Sequence, residues 1–361
     1  MKYSTSIGID THSKKNSVCA LNNNTGEITE VTLSEDPEKL IQWIVEQNLA
    51  QPLKCCSEAG PTGFKLARAL NEAGIECAVV ATSKLPKRTD RKKNDKVDAE
   101  WLARMLSAGS VREVYIPTTR QESLCHLSRC RAEIAAELRC SKQRVSSFLL
   151  QTGVEYTLTK SRWTKTFWKW AKSYEFADPA DTFVLRTKLS VVQFFEDLLA
   201  YVEDAIESYI KDSEYLSQMV SRFCAIHGIG RVTAFSLVSE VYDFTRFRKG
   251  SSFAAFIGLV PSENSSGKKT SHGFIAKCGN PNLRKLLIEA VNIYSRPRKG
   301  SCLDNKEVPE NIRRKAEKCT VRLYKRSQAL KERGLNANKV KVAVARELCE
   351  WIYWIAVEPA A

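Results

Sequence analysis

The chain has 361 residues, 43% hydrophobic and 27% charged, which is room for two or three domains with sizeable cores. Its 56 lysines and arginines against 41 acids leave a surplus of +15, which favours a polyanionic partner: nucleic acid or an anionic membrane surface. No apolar run approaches the roughly 20 residues of a membrane span, and MKYSTSIGID lacks the apolar stretch of a signal peptide, so a cytoplasmic protein is expected.

Along the chain, 3–10 (YSTSIGID), 15–21 (KNSVCAL) and 28–33 (ITEVTL) read as three strands of a meander, with NNNTGE (22–27) as a turn. A helix over 36–49 follows, with Asp36 as N-cap and Pro37 at its first position. Then come a strand (53–59), a helix opened by Pro61 (61–72), a strand (75–82), a basic loop (84–93) and a helix carrying Asp95 and Asp98. A mixed sheet with helices on its faces packs such a succession, which is also that of ribonuclease-H-like folds.

From Thr118 onward the pattern is helical. Leu124, Leu127, Ile134, Leu138, Val145 and Phe148 form one stripe and Val192, Phe195, Leu199, Val202, Ile206 and Tyr209 another, both at heptad-like spacings. They predict a coiled-coil hairpin, either internal or at a dimer seam. Between them SRWTKTFWKWAKSYEF (161–176) interleaves Trp163, Phe167 and Trp170 with lysines. Its plain reading is an amphipathic helix on the hairpin; the sharper one is stacking on unpaired bases. The last helices are expected over 309–333 and 340–357. The expected domains are 1–117, 118–220 and 221–361.

The twelve cysteines form no C-x-x-C pair, and Cys19, Cys55 and Cys77 fall in strand-like runs, so free buried thiols are expected. The four histidines, His12, His126, His227 and His272, offer little material for a histidine-based metal site.

Four acids stand at element edges. Asp10 ends the first strand, Glu58 the fourth, and Asp95 and Asp98 share one helix face. Gathered together they would repel, and divalent cations resolve that conflict. Oxygen donors suit Mg²⁺ or Mn²⁺, and paired ions serve phosphoryl transfer. The flanking cations Lys87, Arg88, Arg91, Lys92 and Lys93 would draw in a phosphate backbone. Taken singly, each acid is an ordinary cap or surface residue; the ordered set is what points to a site.

IGIDTHSKKNSVCAL, SEAGPTGFKLARAL and KRTDRKKNDKVDAEWLARML resemble the three acidic motifs of DEDD transposases of insertion-sequence family one-ten, relatives of the Piv-type DNA invertases. The resemblance implies a RuvC-like catalytic domain with Asp10, Glu58, Asp95 and Asp98 as its metal ligands, acting on element ends and target in double-stranded DNA. It also implies a structured non-coding guide RNA, a homo-oligomer (dimer or tetramer), and work beside the bacterial nucleoid.

In 224–241, H-G-I-G joins two apolar helical stretches, the form of a helix-hairpin-helix. Gly228 and Gly230 would allow the turn, and free N–H groups before Arg231 would meet phosphate. A simple helix-helix turn is the alternative. The segment 253–290 resembles the C-terminal transposase domain of the same family through G-L-x-P, S-G and K-x-G-N-x-x-L-R. A serine here is implied as the nucleophile that links covalently to DNA. By position it is Ser266, with Ser265 its competitor, and Lys268, Lys269, Lys277 and Arg284 are placed to activate it or to neutralise phosphate. On composition alone the same stretch reads as a flexible turn.

The fold expected is therefore an α/β RuvC-like domain with a mixed sheet, a helical coiled-coil region, and a mainly helical C-terminal domain with a helix-hairpin-helix. Three rival functions are weighed: a resolvase or nuclease that hydrolyses junctions, a DNA invertase, and an inert nucleic-acid binder. IGIDTHSKKNSVCAL is also similar to the first phosphate loop of actin-like ATPases and sugar kinases, but a second glycine-rich loop is missing.

Overall fold

The computed structural model describes residues 3–60, 62–81, 85–86, 94–263, 272–296 and 308–359, in two compact units, Met1–Arg120 and Gln121–Ala361. In the first unit β1 (Thr5–Thr11), β2 (Lys15–Asn22) and β3 (Ile28–Ser34) form the expected antiparallel meander. Helix α1 (Pro37–Glu46) is capped by Asp36, whose carboxylate accepts from the Glu38 N–H at 3.1 Å. Then follow β4 (Leu53–Glu58), α2 (Gly63–Glu72), β5 (Cys77–Val80) and α3 (Asp95–Ser107). A two-residue β6 (Glu113–Val114), not expected from sequence, closes a sheet ordered β3-β2-β1-β4-β5-β6. β4 lies parallel to β1 and to β5, and the remaining pairs are antiparallel.

The alternation of strand side chains sorts this sheet into two faces. Ile7, Ile9, Val18, Ala20, Cys55 and Val79 pack under Leu40, Ile44, Leu66 and Leu70 of α1 and α2. The opposite face, with Cys19, Leu21, Cys56 and Val80, is covered by Ala99, Leu102, Ala103 and Leu106 of α3. Gly8 lies beneath α3, and a Cβ there would overlap the Ala99 carbonyl and the Ala103 N–H. That contact lets the helix backbone rest directly on β1.

In the second unit α4 (Thr119–Gln151) and α6 (Pro179–Lys211), each 33 residues long, run antiparallel. Arg131 pairs with Glu203 at 2.6 Å and Lys142 with Glu196 at 2.5 Å, so one residue number rises as the other falls. Leu138, Val145 and Leu149 meet Leu185, Leu189 and Val192 between them, sealed by Phe167 of α5 (Lys165–Ser173). Trp163, Trp168 and Trp170 are packed against this same core, and Phe167 meets Tyr156 edge-on at 5.0 Å. The tryptophan-rich segment is thus the cover of the hairpin, its plain reading.

Helices α7 (Glu214–Cys224), α8 (Arg231–Val241) and α9 (Gly250–Ile257) lead to a hairpin of β7 (Pro261–Glu263) and β8 (His272–Ile275). Helix α10 (Pro281–Ala290), a 3₁₀ turn (Val291–Ser295), α11 (Glu310–Glu332) and α12 (Ala337–Val357) complete the bundle. Phe223, Phe235, Phe253, Leu287, Leu323 and Ile352 share its core with Leu124, Val202 and Ile206 of α4 and α6. The expected division at 220/221 therefore falls inside one packed body. No described helix is long and apolar enough to cross a membrane. The described cysteines are all free, and Cys19, Cys55, Cys56 and Cys77 of the first unit are buried.

Candidate active site

Gly8 and Asp10 share a strand parity, so Asp10 emerges on the α3 face near the end of β1, and His12 follows directly after the strand. The parallel register pairs Ile9 with Ser57. One residue further it sets Asp10 beside Glu58, which has the same parity as Cys56 and so the same face. Helix α3 starts over this edge. Asn94 caps it by accepting from the Lys96 N–H at 3.3 Å, and Asp95 and Asp98 occupy its first turn, where the helix dipole favours negative charge.

Asp10 is only 7% exposed. His12 Nε2 sits 3.3 Å from Asp10 Oδ2 and 3.6 Å from Asp95 Oδ1, and Lys15 Nζ lies 2.6 Å from Asp95 Oδ2. Burial pushes the Asp10 carboxyl above its ordinary range; His12 draws it down, while Asp95, Asp98 and Glu58 push it further up. The Lys15 hydrogen bond holds Asp95 below its ordinary range. Each of the other three expected acids therefore opposes the charge of Asp10 at this edge. Asp10, His12 and Asp95 can each present a ligand atom within 4.8 Å of the other two.

His12 and Lys15 were not among the expected site residues. The signal for His12 was its position two residues after Asp10 in D-T-H, just past the end of β1. His12 and Lys15 both lie against carboxylate oxygens of this cluster, His12 beside Asp10 and Asp95 and Lys15 beside Asp95. The donor set, mainly carboxylate oxygen with one imidazole, suits a divalent ion.

In the second unit the C-terminal skeleton is structural. Gly258 (φ +79°) ends α9 and Gly279 (φ +97°) precedes α10; a Cβ on either would overlap a carbonyl of the other's segment, Cys278 or Phe256. Asn280 caps α10, accepting from the N–H groups of Asn282 at 2.9 Å and Leu283 at 3.1 Å. Arg284 donates Nη1 to the Ile257 carbonyl at 2.9 Å, so part of its fork ties α10 to the end of α9. Lys277 is exposed and donates its backbone N–H to the Gly258 carbonyl at 3.3 Å. These contacts fix the base of the β7–β8 hairpin. The connection between its strands carries Ser265, Ser266, Lys268 and Lys269, which lie outside the described residues, as do Lys87, Arg88, Arg91, Lys92 and Lys93.

The H-G-I-G turn joins α7 to α8. Gly228 (φ +94°) packs on the Ala290 carbonyl, where a Cβ would come within 2.7 Å, whereas Gly230 faces open space as the N-cap of α8. Arg231 forms a two-pronged pair with Glu207, Nε to Oε1 at 2.6 Å and Nη2 to Oε2 at 2.5 Å.

Comparison with known proteins agrees with this arrangement. The family model of IS110 DEDD transposases, described as a transposase, matches residues 7–154. The model of the transposase IS116/IS110/IS902 family matches residues 220–303. The putative transposase y4qE of Sinorhizobium fredii is 32% identical over 98% of this chain and 88% of its own length. The transposase for insertion sequence element IS1533 of Leptospira borgpetersenii is 27% identical over 91% of this chain and 97% of its own. The transposase for insertion sequence element IS1111A of Coxiella burnetii is 29% identical over 62% of the chain and 60% of its own length. With the acidic motifs converging on one sheet edge and both transposase segments matched in order, the chain belongs to the IS110/IS116/IS902 family of insertion-sequence transposases and is a DNA transposase.

Proposed function

We propose that this transposase cuts and rejoins double-stranded DNA at the ends of its element and at a target through a serine–DNA intermediate. In this reading Asp10, Glu58, Asp95 and Asp98 hold Mg²⁺ or Mn²⁺, and Ser266 is the nucleophile. The observation that carries it is a nearly buried Asp10 whose charge is opposed by the other three acids and met by His12. Such a cluster asks for a hard cation and leaves coordination positions for phosphate oxygens. Bound there, the ion would neutralise charge that builds on the transferring phosphate.

The chain's own groups divide the remaining work. The acids orient the phosphate edge, and the lysines and arginines of 87–93 draw in the backbone. The Ser266 oxygen bonds to phosphorus, its proton passes to solvent or a nearby base, and a DNA oxygen leaves as a hydroxyl. One phosphodiester bond is broken and one is formed, so the strands can be rejoined without ATP. Lys268, Lys269, Lys277 and Gly230 with its helix N-terminus supply positive potential beside the path. A structured guide RNA would pair with both DNAs, leaving the protein to read backbone and shape, and the +15 surplus suits such an assembly. The DNA it acts on places it in the bacterial cytoplasm.

Quenching a reaction with denaturant should reveal DNA-linked protein in the wild type and in Ser265→Ala, and none in Ser266→Ala. Free product ends with no adduct in the wild type would instead mean a hydrolytic nuclease.

Helix α6 supports self-association. Its outer side carries Phe183 (71% exposed), Val191, Phe194 (60%) and Tyr201 (73%) at helical spacings, opposite the face that packs on α4. An apolar stripe of that length on a long helix fits a second copy of the same helix. Phe194→Glu with Tyr201→Glu should weaken association at least tenfold in sedimentation runs, with helical circular dichroism unchanged. An unaltered oligomer in that double variant would remove this surface from the assembly.

A further inference from the structure

We infer that the groove between α11 and α12 binds an unpaired stretch of nucleic acid, with a base on Trp354 and phosphates on three arginines. The groove, about 500 Å³, lies outside both matched family segments and is lined by Arg322 and Arg326 of α11 and Arg346, Glu347, Glu350 and Trp354 of α12, with Trp351 behind. Arg322 and Arg326 stand one helical turn apart and share a single carboxylate. Glu347 Oε1 accepts from Arg322 Nε at 2.7 Å, and Oε2 lies 3.7 Å from Arg326 Nε. Two guanidinium groups on one acid, with Arg346 beside them, leave net positive charge in the groove despite Glu350.

The aromatic half of the site is equally specific. Trp351 is packed against the bundle core, whereas Trp354 is 49% exposed at the groove, its ring 5.2 Å from that of Tyr353. An indole face beside arginine forks is the chemistry that holds a single strand: stacking serves any base, and the forks serve phosphate. Paired bases in a duplex offer no free face to Trp354, so the groove selects unpaired nucleotides. The track continues along the exposed side of α11 through Arg314, Lys318 and Lys325, at three- and four-residue helical spacings from Arg322. The charge of this surface complements a polyanion and not another copy of itself.

The inference goes beyond the recombination reading and is tested by binding alone, so its failure leaves the carboxylate and serine assignments untouched. The full chain is titrated with oligouridylate, oligothymidylate and a DNA duplex. Trp354→Ala should lower affinity for the single strands about tenfold, leave duplex affinity unchanged, and be rescued by Trp354→Phe. Replacing Arg322, Arg326 and Arg346 by glutamine should make the log affinity–log salt slope for single strands shallower by about two. Tighter binding of oligouridylate assigns the site to an RNA strand, and tighter binding of oligothymidylate to a displaced DNA strand. Independently of any variant, oligouridylate carrying 4-thiouridine should crosslink to a peptide of α12 in the wild type. A crosslink map without α12 overturns the inference, and so does Trp354→Ala that binds single strands like the wild type or loses duplex affinity equally.

Discussion

Replacing Asp10 by alanine is expected to reduce strand cleavage at least about a thousandfold, while DNA binding in a mobility-shift assay stays near the wild-type level. The carboxylate sits at a sheet edge that the other three acids approach, and it is the most buried of the four. Binding rests on the basic surface, which the substitution leaves intact. Glu58→Ala should behave alike, and full cleavage by either variant would refute the carboxylate assignment. The same geometry sets the pH response. Because burial and like charges raise the Asp10 carboxyl above its unfolded value, its contribution to stability is fully present below that unfolded value and is lost as pH rises through the raised folded one. In chelator at neutral pH, Asp10→Asn should therefore melt higher than the wild type. Added Mg²⁺ should raise the wild-type melting temperature and leave that of Asp10→Asn nearly unmoved, as differential scanning would show.

Gly8→Ala is expected to destabilise the first unit by about 3 kcal/mol, seen as a lower urea midpoint, and to reduce cleavage even at temperatures where the chain remains folded. The added methyl meets the Ala99 carbonyl and the Ala103 N–H, both backbone of α3, and neither is the movable end of a side chain. The helix must lift from β1, and Asp95 and Asp98 in its first turn move with it. Alanine at Gly74 is the matched control for an added methyl, since nothing lies within 4 Å of a Cβ there, although its φ of +79° adds local strain. Equal stability of Gly8→Ala and wild type would mean that α3 does not rest on β1 as described.

The sheet was legible because its strands obey a two-residue period with buried aliphatic residues at alternate positions, as Ile7 and Ile9 do in β1. Parity then carried Asp10 and Glu58 to one face, and the DEDD order singled them out. β6 escaped because two residues hold no period. His12 escaped because a lone histidine after a strand carries no metal-binding pattern of its own; Lys15 begins the next strand, and only the hairpin geometry returns it to Asp95. On α6 the stripe through Val192 and Val202 was visible, but the outer one through Phe194 and Tyr201 was not. A helix apolar on two sides blurs the moment by which either side is recognised. The glycines of the C-terminal skeleton carry the family resemblance in sequence, and the structure gives Gly258 and Gly279 a packing cause.

The thiols of the first unit carry a practical consequence. Burial lifts Cys19 and Cys77 to about 12 and Cys55 and Cys56 further above the ordinary thiol range, so at physiological pH these four remain protonated and shielded. Among the described cysteines, alkylating dyes and mild oxidants would meet Cys130, Cys140 and Cys278 first, all exposed and all in the second unit. Cys278 lies beside the hairpin whose connection carries Ser265 and Ser266, so with Cys130 and Cys140 replaced by serine a maleimide fluorophore at Cys278 would label next to that hairpin, while the buried thiols of the first unit stay unmodified.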